Sequence, residues 1–517
     1  MRSPTSSLNN AAPARVVIES VRPEVDGGRY PVKRTLGEHV LVECDAFADG
    51  HDAVVCELLW KFSGESEWQC QAMEFRHNDH WAGSFTVAQL GRYQYKVRAW
   101  TDPFLTWQRD LVKRYEARQD LSVDFLIGAA LNPQAALSDA SKSPEERYDT
   151  AIAARPPAPA PERIRESGVL EVQVDPVRAR FSTWYEMFPR SARADGKPAT
   201  FNDVVALLPY VQEMGFDVLY FPPIHPIGTT ARKGKNNAVA AAPGDVGSPW
   251  AIGAKEGGHK AILPELGSFE DFRDLVKAAN QRGMEIALDI AFQCSPDHPY
   301  VKEHPEWFRK RPDGSIQYAE NPPKKYQDIY PFDFETPAWR ELWAELKSVF
   351  EFWVGHGVKI FRVDNPHTKA FDFWEWCIRE LKEKHPELIF LSEAFTRPRI
   401  MHKLAKLGFT QSYTYFTWRN TKEELVDYFT ELTQSPSREY FRPNVWPNTP
   451  DILHETLQHG GRPAFIVRAV LAATAAANYG LYGPAYELQE HTPREPGSEE
   501  YLNSEKYEIK RWDLERE

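Results

Sequence analysis

The sequence predicts an α/β protein whose larger part is a (β/α)8 barrel, preceded by an all-β sandwich that carries a helical insert. Three observations favour this order. Apolar and polar residues alternate up to about Trp107, strand patterns alternate with amphipathic helix patterns after Phe181, and single acidic residues end two apolar runs. The chain has 517 residues, enough for about two to four domains.

Residues 14–110 are predicted to form the small antiparallel β-sandwich. Apolar side chains recur at every second position in two segments, and Asp49-Gly50 supplies a turn signal between them. Those apolar positions are Val40, Val42 and Cys44 in the first segment, and Tyr93, Tyr95, Val97 and Ala99 in the second. Residues 1–13 are polar and small, lack the apolar centre of a signal peptide, and are predicted to be a disordered tail.

Residues 111–165 are predicted to be a helical insert and a proline-rich linker. Ser143-Pro144-Glu145-Glu146 is a capping box that starts a helix ending at about Ala154. The following run from Arg155 to Pro161 has four prolines in seven residues and predicts an extended linker. Leu170, Val172 and Val174 then restore a strand pattern, so 166–180 is predicted to return to the sandwich.

Residues 181–517 are predicted to form the barrel, with an inserted lobe at about 295–333 that is rich in Pro, His and charged residues. Amphipathic helices are predicted at 202–214, 269–281 and 337–355, between the strands. The predicted barrel strands are Trp184–Phe188, Val218–Phe221, Ile286–Ala291, Lys359–Val363, Ile389–Ser392, Gln411–Tyr415, a strand ending at about Ile452, and Gly480–Tyr482.

The composition narrows the class of partner and the compartment. Lys and Arg number 62 and Asp and Glu 74, so the net charge of 62 − 74 = −12 argues against nucleic acid or an anionic membrane as the main partner. The longest apolar stretch, Ala469 to Tyr479, is too short to cross a bilayer. The five cysteines show no metal-ligand or disulfide spacing, which is typical of reduced thiols and predicts a cytoplasmic location.

Two carboxylates carry the strongest functional signal. Asp364 ends the run Ile-Phe-Arg-Val, and Glu393 ends the run Leu-Ile-Phe-Leu-Ser. Acids at the carboxyl ends of neighbouring barrel strands are suited to glycoside cleavage, although one isolated strand-end acid is more often a helix cap. Arg362 lies two residues before Asp364, so both side chains share one face of the strand, and the guanidinium favours an ionised carboxylate.

Together with Asp451 in Asn448-Thr449-Pro450-Asp451-Ile452-Leu453, these two acids resemble the catalytic strand ends of the α-amylase superfamily. Further segments resemble one group in it, the α-1,4-glucan:maltose-1-phosphate maltosyltransferases, along nearly the whole chain. They are Lys233-Gly234-Lys235-Asn236-Asn237, Gln293-Cys294-Ser295-Pro296-Asp297-His298-Pro299, Asp364-Asn365-Pro366-His367-Thr368-Lys369 and Ser504-Glu505-Lys506-Tyr507.

The resemblance implies a retaining transfer of maltosyl units from α-maltose 1-phosphate to the non-reducing end of an α-1,4-glucan, with release of phosphate. Asp364 is implied as the nucleophile, Glu393 as the acid and base, and Asp451 as the transition-state stabiliser. Lys233 and Gln293 are implied at the phosphate, with Asn321 and Tyr326 as weaker candidates. Further substrate-binding residues are Arg362 and Asn365 beside the nucleophile, Asp328 in the donor pocket, and Lys506 and Tyr507 at the far glucose.

No cofactor and no metal are expected. His298 and His367 lack spaced partners that would complete a metal site, so we interpret them as hydrogen-bonding loop residues. The resemblance further implies a possible homodimer. It also implies a carboxyl-terminal β-sandwich, which we expect this chain to lack because Glu517 follows soon after the eighth strand.

Two alternative functions remain open from the residues: an α-glucan hydrolase or transglycosylase without a phosphate donor, and a glucan-binding protein without activity. A non-catalytic protein predicts the loss of acids that are all present. Hydrolases of the superfamily usually have an Asn-His pair where this chain has Gln293 and Cys294, and a His where it has Pro450. These substitutions favour the transferase.

Overall fold

The computed structural model describes residues 14–139, 141–322 and 324–514. The predicted disordered tail at 1–13 lies outside the described residues. The chain divides into two compact units, one ending at Val174 and the other beginning at Asp175. Among the described residues, no helix is both long and apolar enough to cross a membrane.

The first unit contains two β-sheets, with strand orders β1-β3-β7-β6 and β2-β10-β8-β4-β5; β9 also pairs with β8. Its strands are β1 (Val16–Arg22), β2 (Val32–Thr35), β3 (His39–Ala48), β4 (Ala53–Phe62), β5 (Gln69–Ala72), β6 (Glu74–His77), β7 (His80–Thr86), β8 (Gly91–Asp102), β9 (Arg165–Glu166) and β10 (Leu170–Asp175). Its helices are α1 (Pro103–Glu116), α2 (Ser122–Leu131) and α3 (Pro144–Ala153).

The alternating apolar residues of this unit face its core, as the period of two predicts. Val40, Val42 and Cys44 on β3 are fully buried, and so are the predicted positions from Tyr95 to Ala99 on β8. β10 pairs antiparallel with β8 and is part of the second sheet. Ser143 caps α3 through a complete capping box. The first helix starts earlier than predicted, at Pro103, because Asp102 caps it.

The second unit is the barrel. Its parallel strands follow the order β21-β20-β19-β18-β13-β12-β11-β22, and a parallel bridge from Val445 to Tyr479 closes the ring. The barrel strands are β11 (Ser182–Glu186), β12 (Val218–Phe221), β13 (Glu285–Ile290), β18 (Ile360–Asp364), β19 (Ile389–Glu393), β20 (Gln411–Tyr413), β21 (Pro443–Asn444) and β22 (Asn478–Tyr482). The short strands outside the ring are β14 (Gln293–Cys294), β15 (Ala319–Asn321), β16 (Lys324–Tyr326) and β17 (Tyr330–Pro331).

At least one helix follows each barrel strand; an additional short helix lies within the insertion after the third strand, and two helices separate the seventh and eighth strands. The helices of this unit are α4 (Phe201–Glu213), α5 (Phe269–Asn280), α6 (Pro299–Glu303), α7 (Trp339–Val354), α8 (Phe371–Lys384), α9 (Pro398–Lys406), α10 (Lys422–Gln434), α11 (Glu455–His459), α12 (Gly461–Ala475) and α13 (Gly483–Glu487). The predicted lobe at 295–333 contains α6 and the hairpin of β15 and β16, and β17 pairs with β14.

One predicted strand was wrong. The seventh barrel strand is Pro443–Asn444, not a segment ending at Ile452. Two residues that include a proline give no apolar run for a sequence pattern to detect. Ile452 instead forms an antiparallel bridge with Thr449 in the loop that follows, so Asp451 lies in a tight turn beyond the strand. The other seven strands lie within two residues of their predicted starts.

Candidate active site

A single guanidinium organises the carboxyl end of the barrel. Arg362 Nη1 lies 2.9 Å from an oxygen of Asp289 and 2.9 Å from Asp364 Oδ1, and Arg362 Nη2 lies 3.6 Å from Glu393 Oε2. Side chains alternate between the two faces of a strand, and Arg362 and Asp364 are two residues apart on β18, so both lie on its inner face. Asp364 and Glu393 are register partners on adjacent parallel strands. The predicted pair therefore meets at one cation.

The surroundings separate the proton affinities of the two acids. Burial alone would raise the pKa of Asp364, but the charges of Arg362 and Lys369 hold it below its ordinary value. Burial raises the pKa of Glu393 to about 7; Arg362 opposes this rise and the negative charge of Asp364 adds to it. At neutral pH, Asp364 is thus an anion suited to nucleophilic attack, and Glu393 is divided between its acid and base forms.

Asp451 lies on the turn after β21 and has a different environment. Its side chain is 50% exposed, and Lys506 Nζ donates to its Oδ1 at 2.5 Å. Lys506 also lies 4.8 Å from the centre of the Trp250 ring, a cation–π contact. The third predicted acid is therefore present at the same end of the barrel, paired with another predicted site residue.

All of these groups, apart from the deeper Arg362 and Asp289, line one cavity of about 1260 Å³. Its walls include the inserted lobe and the loop from Arg494 to Glu500, which approach each other through Lys324 Nζ and Glu500 Oε1 at 3.6 Å. The predicted residues that line it are Lys233, Gln293, Asn321, Tyr326, Asp328, Asp364, Asn365, Glu393, Asp451, Lys506 and Tyr507. A volume of this size accommodates several sugar rings.

The two donor groups predicted for the phosphate lie after different barrel strands, Lys233 in the loop after β12 and Gln293 at the start of β14. Lys233 is buried, and its Nζ donates to Gln327 Oε1 at 3.1 Å, while Gln293 Nε2 donates to the carbonyl of Trp250 at 3.2 Å. Asp328 is also buried, and within the described residues no group donates to its Oδ1. Burial raises the pKa of Asp328, against the charges of Lys233 and Lys506. This open acceptor is suited to a sugar hydroxyl.

The structure adds two residues that the sequence interpretation missed. Asp289, inside β13, binds Arg362 and accepts a hydrogen bond from Tyr220 Oη at 2.6 Å. A single acid inside an otherwise apolar strand could have revealed it. Lys369 lines the cavity, and its Nζ donates to the carbonyls of Asp364 and Asn365. It belongs to a segment used for the resemblance but had been given no role.

His298 has partners that its sequence spacing did not show. Its ring, His259 and Cys294 form a buried cluster whose potential metal-binding atoms lie within 4.8 Å of one another. The amide of Tyr300 donates to His298 Nδ1, so His298 Nε2 carries the proton and donates to His259 Nδ1 at 3.1 Å. His259 Nε2 then donates to the carbonyl of Ala291 at 2.9 Å. This continuous chain of hydrogen bonds favours a structural role for both rings.

Comparisons with known proteins agree with the sequence resemblance. The profile of the family described as α-1,4-glucan:maltose-1-phosphate maltosyltransferase, domain N/S, matches residues 14–189. A relative of that name from Chlorobaculum tepidum is 55% identical over 97% of this chain and 78% of its own length. Another from Myxococcus xanthus is 53% identical over 97% of this chain and 80% of its own length.

Among solved structures, an α-amylase from Lactobacillus plantarum matches with a TM-score of 0.48 and 25% identity, over 61% of this chain and 74% of that one.

Proposed function

Because the chain belongs to the family of α-1,4-glucan:maltose-1-phosphate maltosyltransferases, we infer that it transfers a maltosyl unit from α-maltose 1-phosphate to the non-reducing end of an α-1,4-glucan and releases phosphate. It is a glycosyltransferase of the α-amylase superfamily. We propose that it does so by a double displacement that the residues of this cavity carry out.

The observation that carries the mechanism is the pairing of Asp364 with Glu393. They are register partners on adjacent strands, and both carboxyl groups contact the guanidinium of Arg362, at 2.9 Å and 3.6 Å, so they lie side by side. Retaining enzymes place their two carboxyl groups about 5–5.5 Å apart, whereas inverting enzymes need about 6.5–9.5 Å to admit a water molecule. The pairing therefore supports a double displacement with retention.

In the first step, an oxygen of Asp364 attacks the anomeric carbon of α-maltose 1-phosphate. The bond from that carbon to the phosphate oxygen breaks, and Glu393 gives its proton to the departing oxygen. The low pKa of Asp364 and the pKa of about 7 of Glu393 support these two roles. The products are inorganic phosphate and a maltosyl ester of Asp364.

In the second step, Glu393 acts as a base. It removes the proton from the 4-hydroxyl of the glucan's terminal glucose, and that oxygen attacks the anomeric carbon and displaces Asp364. The glucan grows by two glucose units, and both carboxyl groups return to their starting states. Asp451 would stabilise the positively charged transition state in each step.

The remaining cavity residues would bind the donor. Lys233 and Gln293 supply cationic and amide donors for the phosphate, as Asn321 and Tyr326 on the lobe hairpin also can. The open oxygen of Asp328 supports a role in binding a sugar hydroxyl, since a carboxylate beside phosphate would repel it. Lys506 and Tyr507 would hold the far glucose, with Asn365 beside the nucleophile.

One assay tests this function against the hydrolase alternative. The protein is supplied with α-maltose 1-phosphate and a maltooligosaccharide, and both phosphate release and chain length are followed. We expect phosphate release to match growth in steps of two glucose units. Hydrolysis of the maltooligosaccharide, with α-maltose 1-phosphate left intact, would show that the chain is instead a glucan hydrolase.

We also propose that the protein is a homodimer. An exposed apolar face on α2 supports this, because Val123, Leu126 and Ile127 are 65%, 61% and 45% exposed. Light scattering of the purified protein, which measures its molecular mass in solution, tests this proposal. We expect Leu126→Glu to yield monomers, whereas Val426→Glu, at an exposed position on α10, should leave the dimer unchanged.

A cytoplasmic location is likewise proposed. The cysteines Cys44, Cys56, Cys70, Cys294 and Cys377 are all free thiols, which supports a reducing compartment. The Sγ atoms of Cys44 and Cys56 lie 3.8 Å apart without forming a disulfide. Fractionation of the source cells tests this proposal, and we expect the protein in the cytoplasmic fraction.

A further inference from the structure

The segment that follows the nucleophile is held in an unusual conformation. Asn365 has φ 42° and ψ 51°, a left-handed backbone that non-glycine residues rarely adopt, although Asn does so at lower cost than most. In this conformation the amide of Asn365 donates to Glu393 Oε2 at 3.1 Å, and its Nδ2 donates to Asp364 Oδ2 at 3.3 Å. One residue therefore contacts both reacting carboxyl groups.

Lys369 holds this segment from its other end. Its Nζ donates to the carbonyl of Asp364 at 3.3 Å and to the carbonyl of Asn365 at 3.1 Å. These two carbonyls belong to the two peptide units on either side of the Asn365 Cα, whose orientations define the left-handed turn. Lys369 reaches back across four and five residues, so its side chain closes the loop that presents the nucleophile.

The charge of Lys369 faces the same carboxyl groups. Burial lowers the pKa of this lysine, while the negative charges of Asp364, Glu393 and Asp289 favour its ammonium form. The charged and titratable groups around it are Asp364, Glu393, Asp289, Arg362 and His367. Arg362 and Lys369 are the two basic side chains of this set, and Arg362 already contacts three acids.

We propose that Lys369 is a positioning residue for maltosyl transfer, a clamp that fixes the turn at Asn365 and thereby sets the placement and charge of Asp364 and Glu393. It acts through the carbonyls of Asp364 and Asn365, and it does not need to touch the sugar. The inference rests on the proposed function, in which Asp364 attacks and Glu393 exchanges a proton. Nothing in the sequence resemblance assigned this lysine a task.

Removal of the clamp has two separable consequences. Loss of the two hydrogen bonds loosens the turn, and a displacement of about 1 Å at a reacting group costs about 100-fold in rate. Loss of the positive charge makes both carboxyl groups harder to ionise, so both limbs of the pH profile of kcat/KM should move to higher pH, by about one unit.

Three variants separate these consequences. Lys369→Met removes both the hydrogen bonds and the charge, Lys369→Gln keeps a donor without the charge, and Lys255→Met is the control because that lysine is 90% exposed. We expect kcat to fall about 100-fold in Lys369→Met and less in Lys369→Gln, with KM for α-maltose 1-phosphate changed by no more than about three-fold. Both variants should show the same shift of the pH limbs, and the control neither effect.

A second readout does not depend on turnover. Carbodiimide modifies protonated carboxyl groups, and peptide mass spectrometry reports the extent at Asp364 as a function of pH. In Lys369→Met and Lys369→Gln this labelling profile should move to higher pH, even if the wild type proves to use another donor. A rate loss with unshifted limbs and an unshifted labelling profile would overturn the proposal and leave Lys369 as a merely structural residue. Unchanged kcat in Lys369→Met would overturn it as well.

Discussion

The two ends of the barrel both bury polar side chains, but they do so in opposite ways. At the amino end, Gln411 is the centre of a neutral network: its Nε2 lies within 3.1 Å of Ser182 Oγ and Asn478 Oδ1, and its Oε1 accepts from Asn444 Nδ2 at 2.9 Å. At the carboxyl end, Arg362 holds three carboxyl groups beside a large cavity.

The difference shows what each end contributes. Neutral amides and hydroxyls satisfy one another at modest net gain. Beside this network, the buried carboxylate of Asp175 is paired with two cations, Lys382 and Arg442, so the amino end holds its acid ionised. The three acids around Arg362 cannot all be stabilised as anions. The carboxyl end therefore keeps Asp364 ionised, whereas the pKa of Glu393 is raised to about 7. We expect substitutions at the carboxyl end to affect chemistry, and substitutions at the amino end to affect stability.

The largest effect is expected at Asp364. Asp364→Asn keeps the size of the side chain but removes the nucleophilic charge, so phosphate release from α-maltose 1-phosphate should fall at least about 10⁴-fold. The melting temperature should stay close to that of the wild type, because the amide can still accept from Arg362. Turnover within ten-fold of the wild type would contradict the assignment of the nucleophile and the contrast between the two ends.

A smaller effect, about 10²- to 10⁴-fold, is expected for Glu393→Gln with α-maltose 1-phosphate. With α-maltosyl fluoride, whose leaving group needs less help from an acid, formation of the glycosyl-enzyme should fall much less. The wild type should lose kcat/KM as pH rises through about 7, because Glu393 must be protonated for phosphate to leave. A basic limb that persists in Glu393→Gln would assign that ionisation to another group.

Lys233 tests the donor site with an intermediate effect. Lys233→Met should raise KM for α-maltose 1-phosphate about ten-fold and leave KM for α-maltosyl fluoride nearly unchanged, because the fluoride has no phosphate to contact. An equal increase for both donors would instead place Lys233 at the sugar. Lys235→Met, an exposed neighbour on the same loop, is the matched control and should change neither value.

The smallest effect on activity is expected at the amino end. Gln411→Ala removes the centre of the neutral network and leaves buried partners unsatisfied, which should lower the free energy of unfolding by about 1–3 kcal/mol. Activity measured well below the melting temperature should stay within about two-fold. A loss of activity comparable to that of Glu393→Gln would mean that the two ends are not independent.

The predictable features of this barrel were those that local pattern controls. Period-two alternation in Ile360–Asp364 placed Arg362 beside Asp364, and acids at strand ends indicated the site. The seventh strand was not predicted, because Pro443–Asn444 forms a strand through pairing with its neighbours rather than through its own strand propensity. The roles of Asp289 and Lys369 depend on contacts to Arg362 and to two backbone carbonyls, which no sequence spacing specifies.

The mass of the peptide that contains Asp364 tests the central claim most directly. The Glu393→Gln variant is mixed with α-maltosyl fluoride, quenched with acid and digested, and the masses of its peptides are measured by mass spectrometry. We expect the peptide that contains Asp364 to gain one maltosyl unit. A maltooligosaccharide in which an amine replaces the 4-hydroxyl of the terminal, non-reducing glucose should remove this label without help from Glu393. A maltosyl unit on a different carboxyl group, or no label while the wild type still extends glucan, would contradict the central claim.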